Sequence, residues 1–250
     1  MKLLLDLGNS RLKWALWDGQ VLSARGATHW DPQRLQGVLL QQWKAMPDIR
    51  AVWQASVVDT VREAQLREIL DTRFSLAPQP VTTQPEACGV RIAYANPEQL
   101  GVDRFLSLIA AWAMGHAPCL LVTCGTAITV DALDATGRHL GGLIAPGPDQ
   151  MCETLSATTV QVRPRQEGRL LDLAANTTDA VTSGVWQAAA GLVERSQKYL
   201  QSRFGDTPRL LVAGGGGERL RSLLGPTAQP FSGAVLLGLA HYLGCVESSA

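Results

Sequence analysis

The chain has 250 residues, with 22 Lys and Arg against 22 Asp and Glu, so its formal net charge is zero. A nucleic-acid or anionic-membrane partner asks for a basic excess on one face, yet residues 1–115 hold 12 basic and 11 acidic side chains and the remainder 10 and 11, so no nucleic acid and no membrane is expected as a partner. At 46% hydrophobic and 18% charged residues, the composition is that of a core-rich globular protein, long enough for two domains with a core each.

Residues 3–7 form an apolar run ending in Asp6-Leu7-Gly8-Asn9-Ser10, and residues 12–17 resume it before Asp18-Gly19, which predicts strand, tight turn, strand, turn. Residues 51–58 read as a buried strand, and residues 60–71, with Val61, Ala64, Leu66, Ile69 and Leu70, as a surface helix. Asn96-Pro97-Glu98 has the composition of a helix start. Val102, Phe105, Leu106, Ile109, Ala110 and Ala113 follow at helical spacing until Gly115-His116-Ala117-Pro118. The opening pattern then returns as a strand at 120–124, a turn at Gly125-Thr126, a strand at 127–133 and a turn at Thr136-Gly137. Placing Gly8 over Gly125 aligns Asn9 with Thr126, Ser10 with Ala127 and Leu16 with Leu133, which points to an internal duplication; the alternative is coincidence between two common hairpins. Residues 178–204 have a helical pattern, residues 210–212 a strand ending in Gly214-Gly215-Gly216-Gly217, and residues 232–243 form an apolar closing helix. Strands and helices in mixed order within each half predict an α/β fold.

Two uncharged stretches, 105–130 and 225–246, are broken by Gly115-His116-Ala117-Pro118 and by two prolines, Gln229 and His241, so neither is expected to span a membrane. Met1-Lys2 followed by Asp6 leaves no room for a signal-peptide apolar region. Five cysteines, an odd number with no C-x-x-C pair, argue against a disulfide framework or a zinc site and for a reducing, cytoplasmic location. No G-x-x-x-x-G-K-[ST], G-x-S-x-G or H-E-x-x-H pattern occurs, and the four histidines are scattered.

What remains is a set of glycine turns after strands, each with a small polar residue beside it. Phosphate approaches such turns closely, because glycine lacks a Cβ and the turn's N–H groups form an anion-binding concavity. In Asp6-Leu7-Gly8-Asn9-Ser10-Arg11-Leu12-Lys13, the acid at the strand end can hold Mg²⁺ through water, and Asn9, Ser10 and Lys13 can contact phosphate oxygens. Gly125-Thr126 supplies a second such turn, and Gly214-Gly215 a backbone approach suited to a nucleoside. Taken singly, each turn also fits a plain hairpin or strand end.

Together the three turns resemble the two phosphate loops and the nucleoside loop of the acetate and sugar kinase, Hsp70 and actin superfamily. That resemblance implies duplicated ribonuclease H-like (actin-like) domains, each a mixed β-sheet flanked by helices, over residues 1–115 and 116–250. A narrower resemblance, to the type III pantothenate kinases, rests on residues 6–13 read with Tyr94-Ala95-Asn96-Pro97, Leu100-Gly101-Val102-Asp103-Arg104, Cys124-Gly125-Thr126-Ala127-Ile128-Thr129 and Gly141-Gly142-Leu143-Ile144-Ala145-Pro146-Gly147. Five separated segments agree in order and spacing. The resemblance implies phosphorylation of pantothenate by Mg-ATP to 4'-phosphopantothenate, the first step of coenzyme A biosynthesis, by a homodimer.

Residue by residue, the resemblance makes Asp6, Leu7, Gly8, Asn9, Ser10, Arg11, Leu12 and Lys13 the first ATP-phosphate loop, with Asp6 the water-mediated Mg²⁺ site, and Thr126 the threonine of the second. Gly101, Val102, Asp103 and Arg104 match a G-x-D-R segment whose acid is the catalytic proton acceptor and whose arginine holds the pantothenate carboxylate. Tyr94 matches a substrate-contacting tyrosine. Thr177, after Asn176, matches a substrate-contacting threonine, although Thr178 leaves the register open by one. Thr123 departs from the pattern, because many members have there an acid that binds a monovalent cation, K⁺ or NH₄⁺. A hydroxyl alone is a weak ligand for such a cation, and Asp131, on the outgoing strand, is not a direct replacement.

The chemistry also follows from the residues. Phosphoryl transfer through a loose transition state needs positioning and charge stabilisation more than a strong base. Asp103, early in a helix where the macrodipole favours an ionised carboxylate, suffices to orient a primary hydroxyl and accept its proton late. Arg104 beside it offers a planar fork to a carboxylate. The competing reading of this pair is a charged first turn that caps a helix. Two other functions fit the same fold: a superfamily kinase for another small hydroxylated substrate, and a nucleotide-binding transcriptional accessory protein without turnover. The uncharged helix at 105–114, with Trp112 and Met114, suggests apolar surface left over for a dimer.

Overall fold

The computed structural model describes residues 1–159, 168–205 and 207–248. β1 (Lys2–Leu7) carries four leucines and is buried along nearly its whole length, as suits the central strand of a covered sheet. β2 (Arg11–Trp17) and β3 (Leu22–His29) return antiparallel beside it; α1 (Leu35–Gln42) then leads to β4 (Ala51–Ser56), parallel to β1, and α2 (Thr60–Phe74) to β5 (Pro78–Pro80), parallel to β4. The sheet order is β3-β2-β1-β4-β5. Leu3, Leu5 and Leu7 share a core cluster with Leu35 and Leu39 of α1 and Leu66, Ile69 and Leu70 of α2. By the alternation of a strand, Leu4 and Asp6 take the opposite face.

A hairpin of β6 (Glu86–Ala87) and β7 (Val90–Arg91) precedes α3 (Val102–Ala113). Asn96-Pro97-Glu98 does not open that helix. Asn96 instead caps a single 3-10 turn, Pro97–Gln99, its side chain accepting from the Glu98 N–H at 3.2 Å. Leu100 and Gly101 then return to ψ values of 118° and 137°, and α3 begins afresh at Val102. The reason is burial: Leu100 is held in the core, which ends the first turn and re-aims the chain.

β8 (Cys119–Cys124), β9 (Ala127–Leu133) and β10 (His139–Pro146) repeat the antiparallel meander. After α4 (Pro148–Thr158) and α5 (Thr177–Phe204), β11 (Arg209–Ala213) runs parallel to β8, and after α6 (Gly217–Leu224), β12 (Ala228–Pro230) runs parallel to β11. The order β10-β9-β8-β11-β12 reproduces the first sheet strand for strand, as a duplication requires. The ungapped alignment fails after the turn, however. Leu7 pairs with Leu12 but Cys124 with Ile128, so the second turn is one residue shorter, and the counterpart of Leu16 is Ala132 rather than Leu133.

The chain divides into two units, Met1–Gly115 with Gly233–Ala250, and His116–Ser232. The expected second half, 116–250, therefore parts with its last stretch. α7 (Ala234–Ser248) follows β12 as α3 follows β5, yet it belongs to the first unit, where Tyr242 meets Phe105 of α3 edge to face at 6.3 Å. Leu236, Leu239 and Leu243 are buried, and so is every α3 residue from Arg104 to Ala111. Residues 104–111 of α3 are thus covered within one chain, whereas Met114 at its end stays 47% exposed. Among the described residues no helix is long and apolar enough to cross a membrane.

Candidate active site

In the first unit, the Gly8-Asn9-Ser10 turn joins β1 to β2. The Gly8 N–H donates to the Arg11 carbonyl at 3.1 Å and so closes the hairpin. Asn9 and Ser10 are exposed. Two side chains that sequence reasoning missed hold the turn from behind: Trp30 Nε1 donates to the Gly8 carbonyl at 2.7 Å and Arg62 Nη1 to the Asn9 carbonyl at 3.0 Å, with the Arg62 guanidinium 5.7 Å from the Trp30 ring. Arg62 lies in the first turn of α2, the wrong helix end for a cation. Asp59, which caps that helix, offsets this with an ion pair at 3.5 Å. The only sequence signal was a cation at a helix N-terminus.

Asp6 is 3% exposed and pairs across the strands with Lys13, Nζ to Oδ2 at 3.0 Å. Burial pushes its carboxyl above the ordinary carboxylate range, and Lys13 offsets part of this. A carboxylate in an otherwise leucine strand works against folding, so its reason lies in what it meets at the strand end. Among the described residues no cluster of three or more His, Cys, Asp or Glu could form a protein-built metal cage. A single carboxylate still suits Mg²⁺, which keeps several waters and takes its other ligands from nucleotide phosphates.

The Gly101–Arg104 segment borders the same end of the sheet. The Val57 N–H donates to the Leu7 carbonyl at 3.1 Å, and a Cβ built on Gly101 would stand 3.8 Å from Val57 Cγ1. Asp103, half-buried in the first turn of α3, accepts the Arg104 N–H on Oδ1 at 2.8 Å, and its carbonyl accepts Ser107 Oγ at 2.7 Å. Arg104 is 6% exposed, with Nη1 3.3 Å from the Tyr94 hydroxyl and its guanidinium 5.9 Å from the Tyr94 ring. Tyr94, Asp103 and Arg104 thus form one cluster.

In the second unit, three segments meet at the Cys124-Gly125-Thr126 turn. The Gly125 N–H closes its hairpin on the Ala127 carbonyl at 3.0 Å, as Gly8 does in the first unit. Gly147, the N-cap of α4, donates to the Thr126 carbonyl at 2.8 Å, and Gly216, the N-cap of α6, to the Cys124 carbonyl at 3.0 Å. A Cβ on Gly147 would overlap the Gly125 carbonyl oxygen, and one on Gly214, at φ +93°, that of Cys124. Two helix N-termini therefore begin at this turn, which favours anionic groups there. Thr126 is exposed on it.

The family model of the type III pantothenate kinases matches residues 2–198. A type III pantothenate kinase of Xanthomonas campestris pv. campestris (strain B100) is 43% identical over 244 residues, 96% of each chain. The chain belongs to the type III pantothenate kinases. It is accordingly an ATP-using kinase that phosphorylates pantothenate in coenzyme A biosynthesis. Among solved structures, a Campylobacter jejuni protein described as of the Baf family of transcriptional activators superposes with TM-score 0.61 at 17% identity, covering 99% of this chain and 98% of that one. The activator of 2-hydroxyisocaproyl-CoA dehydratase from Clostridium difficile, with bound ADPNP, does so with TM-score 0.53 at 13% identity, covering 99% and 95%. At such identities the likeness concerns the actin-like ATPase fold alone.

Two further positions of the kinase are informative. Asn176 caps α5, its side chain accepting the Asp179 N–H at 2.9 Å and donating to Asp179 Oδ2 at 2.8 Å. Hydrogen bonds from Asn176 first, then from Arg169, hold the Asp179 carboxyl below the usual range. Thr177 is exposed at the start of this helix and Thr178 half-buried. Thr123 faces Thr129 across β8 and β9. Asp131 is buried against His139, Oδ1 to Nε2 at 3.0 Å. Burial, and after it the charge of Asp149 in the first turn of α4, an acid the sequence did not single out, push the Cys124 thiol up to about 11.

Proposed function

We propose that this chain transfers the γ-phosphoryl group of ATP to the primary hydroxyl of pantothenate with Asp103 as proton acceptor and Arg104 and Tyr94 as the grip on the pantothenate carboxylate. The observation that carries this reading is the cluster of Tyr94, Asp103 and Arg104 beside the strand end that bears Asp6 and the Gly8-Asn9-Ser10 turn. A guanidinium only 6% exposed is poorly screened, so a substrate carboxylate gains more there than at an open surface. Asp103 orients the hydroxyl and takes its proton as the phosphoryl group leaves ATP. Asn9, Ser10 and Lys13 contact phosphate oxygens in the first unit; within the second unit, the exposed Thr126 turn is suited to phosphate. Asp6, through water, and the nucleotide phosphates would hold Mg²⁺, which supplies neutralisation of the charge on the β- and γ-oxygens. Coupled ATP turnover with pantothenate, against sugars and other hydroxy acids, tests the reading. No turnover above a no-substrate control at saturating ATP would sink it.

Because Trp30 and Arg62 hold the carbonyls of the first turn, Arg62→Met should raise KM for ATP about threefold to tenfold, the loss of a hydrogen bond worth about 1 kcal/mol. KM for pantothenate should stay within about twofold. Equal changes in both constants would point to general unfolding instead.

With neutral Thr123 at the position where the family pattern has an acid, and Thr129 paired across from it, the donor set is poor for a monovalent cation. Turnover in sodium- or Tris-only buffer should therefore lie within about threefold of that in K⁺, under about 1 kcal/mol. Activation of tenfold or more by KCl, titrated against choline chloride at constant ionic strength, would show that carbonyls and hydroxyls hold the cation after all.

The homodimer rests on the family resemblance and on the exposed Met114 at the end of an α3 otherwise covered within the chain. Light scattering at micromolar concentration should give about twice 26.8 kDa; a monomer mass would overturn it.

A further inference from the structure

Thr83 belongs to none of the motif segments, yet its hydroxyl reaches the start of α3. After β5, Val81 and Thr83 are buried and Thr82 between them is exposed. The Val81 N–H donates to the Gln54 carbonyl of β4 at 2.9 Å, and two residues beyond Thr83 the Pro85 carbonyl accepts the Ile92 N–H at 2.9 Å. Thr83 is therefore anchored from both sides. Its Oγ1 donates to the Leu100 carbonyl at 2.7 Å, with Thr83 8% and Leu100 1% exposed. That carbonyl belongs to the peptide that enters Gly101, the N-cap of α3. The backbone ladder of α3 begins one residue later, where the Phe105 N–H donates to the Gly101 carbonyl at 3.1 Å. A buried carbonyl ahead of the ladder needs a donor from elsewhere in the chain, and Thr83 brings one from 17 residues away. The Asp103 carboxylate rests against the next atom of the same backbone: a Cβ built on Gly101 would stand 2.6 Å from Asp103 Oδ1.

We propose that Thr83 is a positioning residue for phosphoryl transfer: by holding the Leu100 carbonyl it fixes the Leu100–Gly101 peptide, and through it the Asp103 carboxylate. The inference rests on the reading of Asp103 as proton acceptor. Thr83 sets the rotation of the peptide, the peptide places the Gly101 Cα, and the carboxylate packs on that bare Cα. Without the hydroxyl the Leu100 carbonyl stays buried and lacks this donor, so the peptide turns to find another. The carboxylate then shifts with it, and a misplacement of about 1 Å at a reacting group costs roughly a hundredfold in rate. The Gly8-Asn9-Ser10 turn is held by Trp30 and Arg62 instead, so the effect should fall on kcat and spare KM for ATP.

Steady-state kinetics on the full chain tests this. Thr83→Val, which keeps the shape and removes the hydroxyl, should lower kcat about tenfold with KM for ATP within about twofold of the parent. Thr83→Ser keeps the hydroxyl and should hold kcat within about threefold. The deciding variant carries Thr83→Val together with Asp103→Asn. With the proton acceptor already gone, displacing its side chain costs nothing more, so the double variant should match Asp103→Asn within about twofold. Gly101→Ala, whose Cβ displaces the same carboxylate, should likewise lower kcat alone and add nothing to Asp103→Asn. An equal loss from Thr83→Val in both backgrounds would overturn the positioning role and leave Asp103 as proton acceptor. Parental kcat in Thr83→Val or Gly101→Ala, or Thr83→Ser as impaired as Thr83→Val, would do the same. A Thr83→Val chain that does not fold would assign the bond to the fold as a whole and overturn the proposal too. Near-parental kcat in Asp103→Asn would overturn both readings together.

Discussion

Asp103→Asn should lower kcat by roughly a hundredfold or more, the usual cost of losing a general base, while KM for ATP stays near that of the parent. The structure separates this from a folding defect. Asp103 Oδ1 accepts the Arg104 N–H at 2.8 Å and the Asp103 carbonyl accepts Ser107 Oγ at 2.7 Å. Asparagine retains an oxygen for the first contact and leaves the second untouched, so the start of α3 survives. The melting temperature should move by less than about 3 °C, under about 1 kcal/mol for a chain of this size. A variant that retains near-parental kcat would show that Asp103 serves only to cap the helix.

Asp6→Asn should have the opposite balance of effects. Loss of the carboxylate should cut kcat/KM for ATP by roughly a hundredfold, as for other groups that stabilise transferring phosphoryl charge, and should shift the Mg²⁺ requirement upward. Stability should not fall with it. Burial raises the Asp6 pKa, with Lys13 offsetting only part, so the folded state favours the protonated acid. Its stabilising contribution is present below the ordinary carboxylate range and is lost as pH rises through the raised folded-state value. Asparagine is neutral throughout. The variant should therefore match the parent in acid and become progressively more stable than it towards neutral pH, as melting curves across that range will show. An unchanged Mg²⁺ dependence would remove Asp6 from the metal site, and a variant less stable than the parent at neutral pH would reverse the assignment of burial as the larger influence.

Much of the fold was legible in the residue order because its signals are local. The leucine run of β1, the Gly8-Asn9-Ser10 and Gly125-Thr126 turns, and the helical spacing from Val102 to Ala113 are each set by a few neighbouring residues, through alternation, turn chemistry and side-chain periodicity. The motif segments around Asp6, Asp103 and Thr126 could be found for the same reason. Fold class and family followed from these alone.

Contacts distant in sequence could not be found in that way. The Gly8 and Asn9 carbonyls are held by Trp30 and Arg62, partners 22 and 53 residues along the chain, and no local pattern announces them. Asn96-Pro97-Glu98 has the right residues for a helix start, but burial of Leu100 outweighed that preference and moved the start to Val102. Whether the glycine amides of the two turns face a phosphate or close a hairpin depends on how the following strand pairs, and in both turns the hairpin takes them. The sequence of α7 determines an apolar helix and nothing about its neighbour. Its counterpart in the first repeat, α3, offered an apolar face larger than its own sheet covers, and burying the two against each other removes more apolar surface from water than leaving either exposed. That tertiary choice, made by area rather than by any local signal, carries the last helix of the second repeat into the first unit.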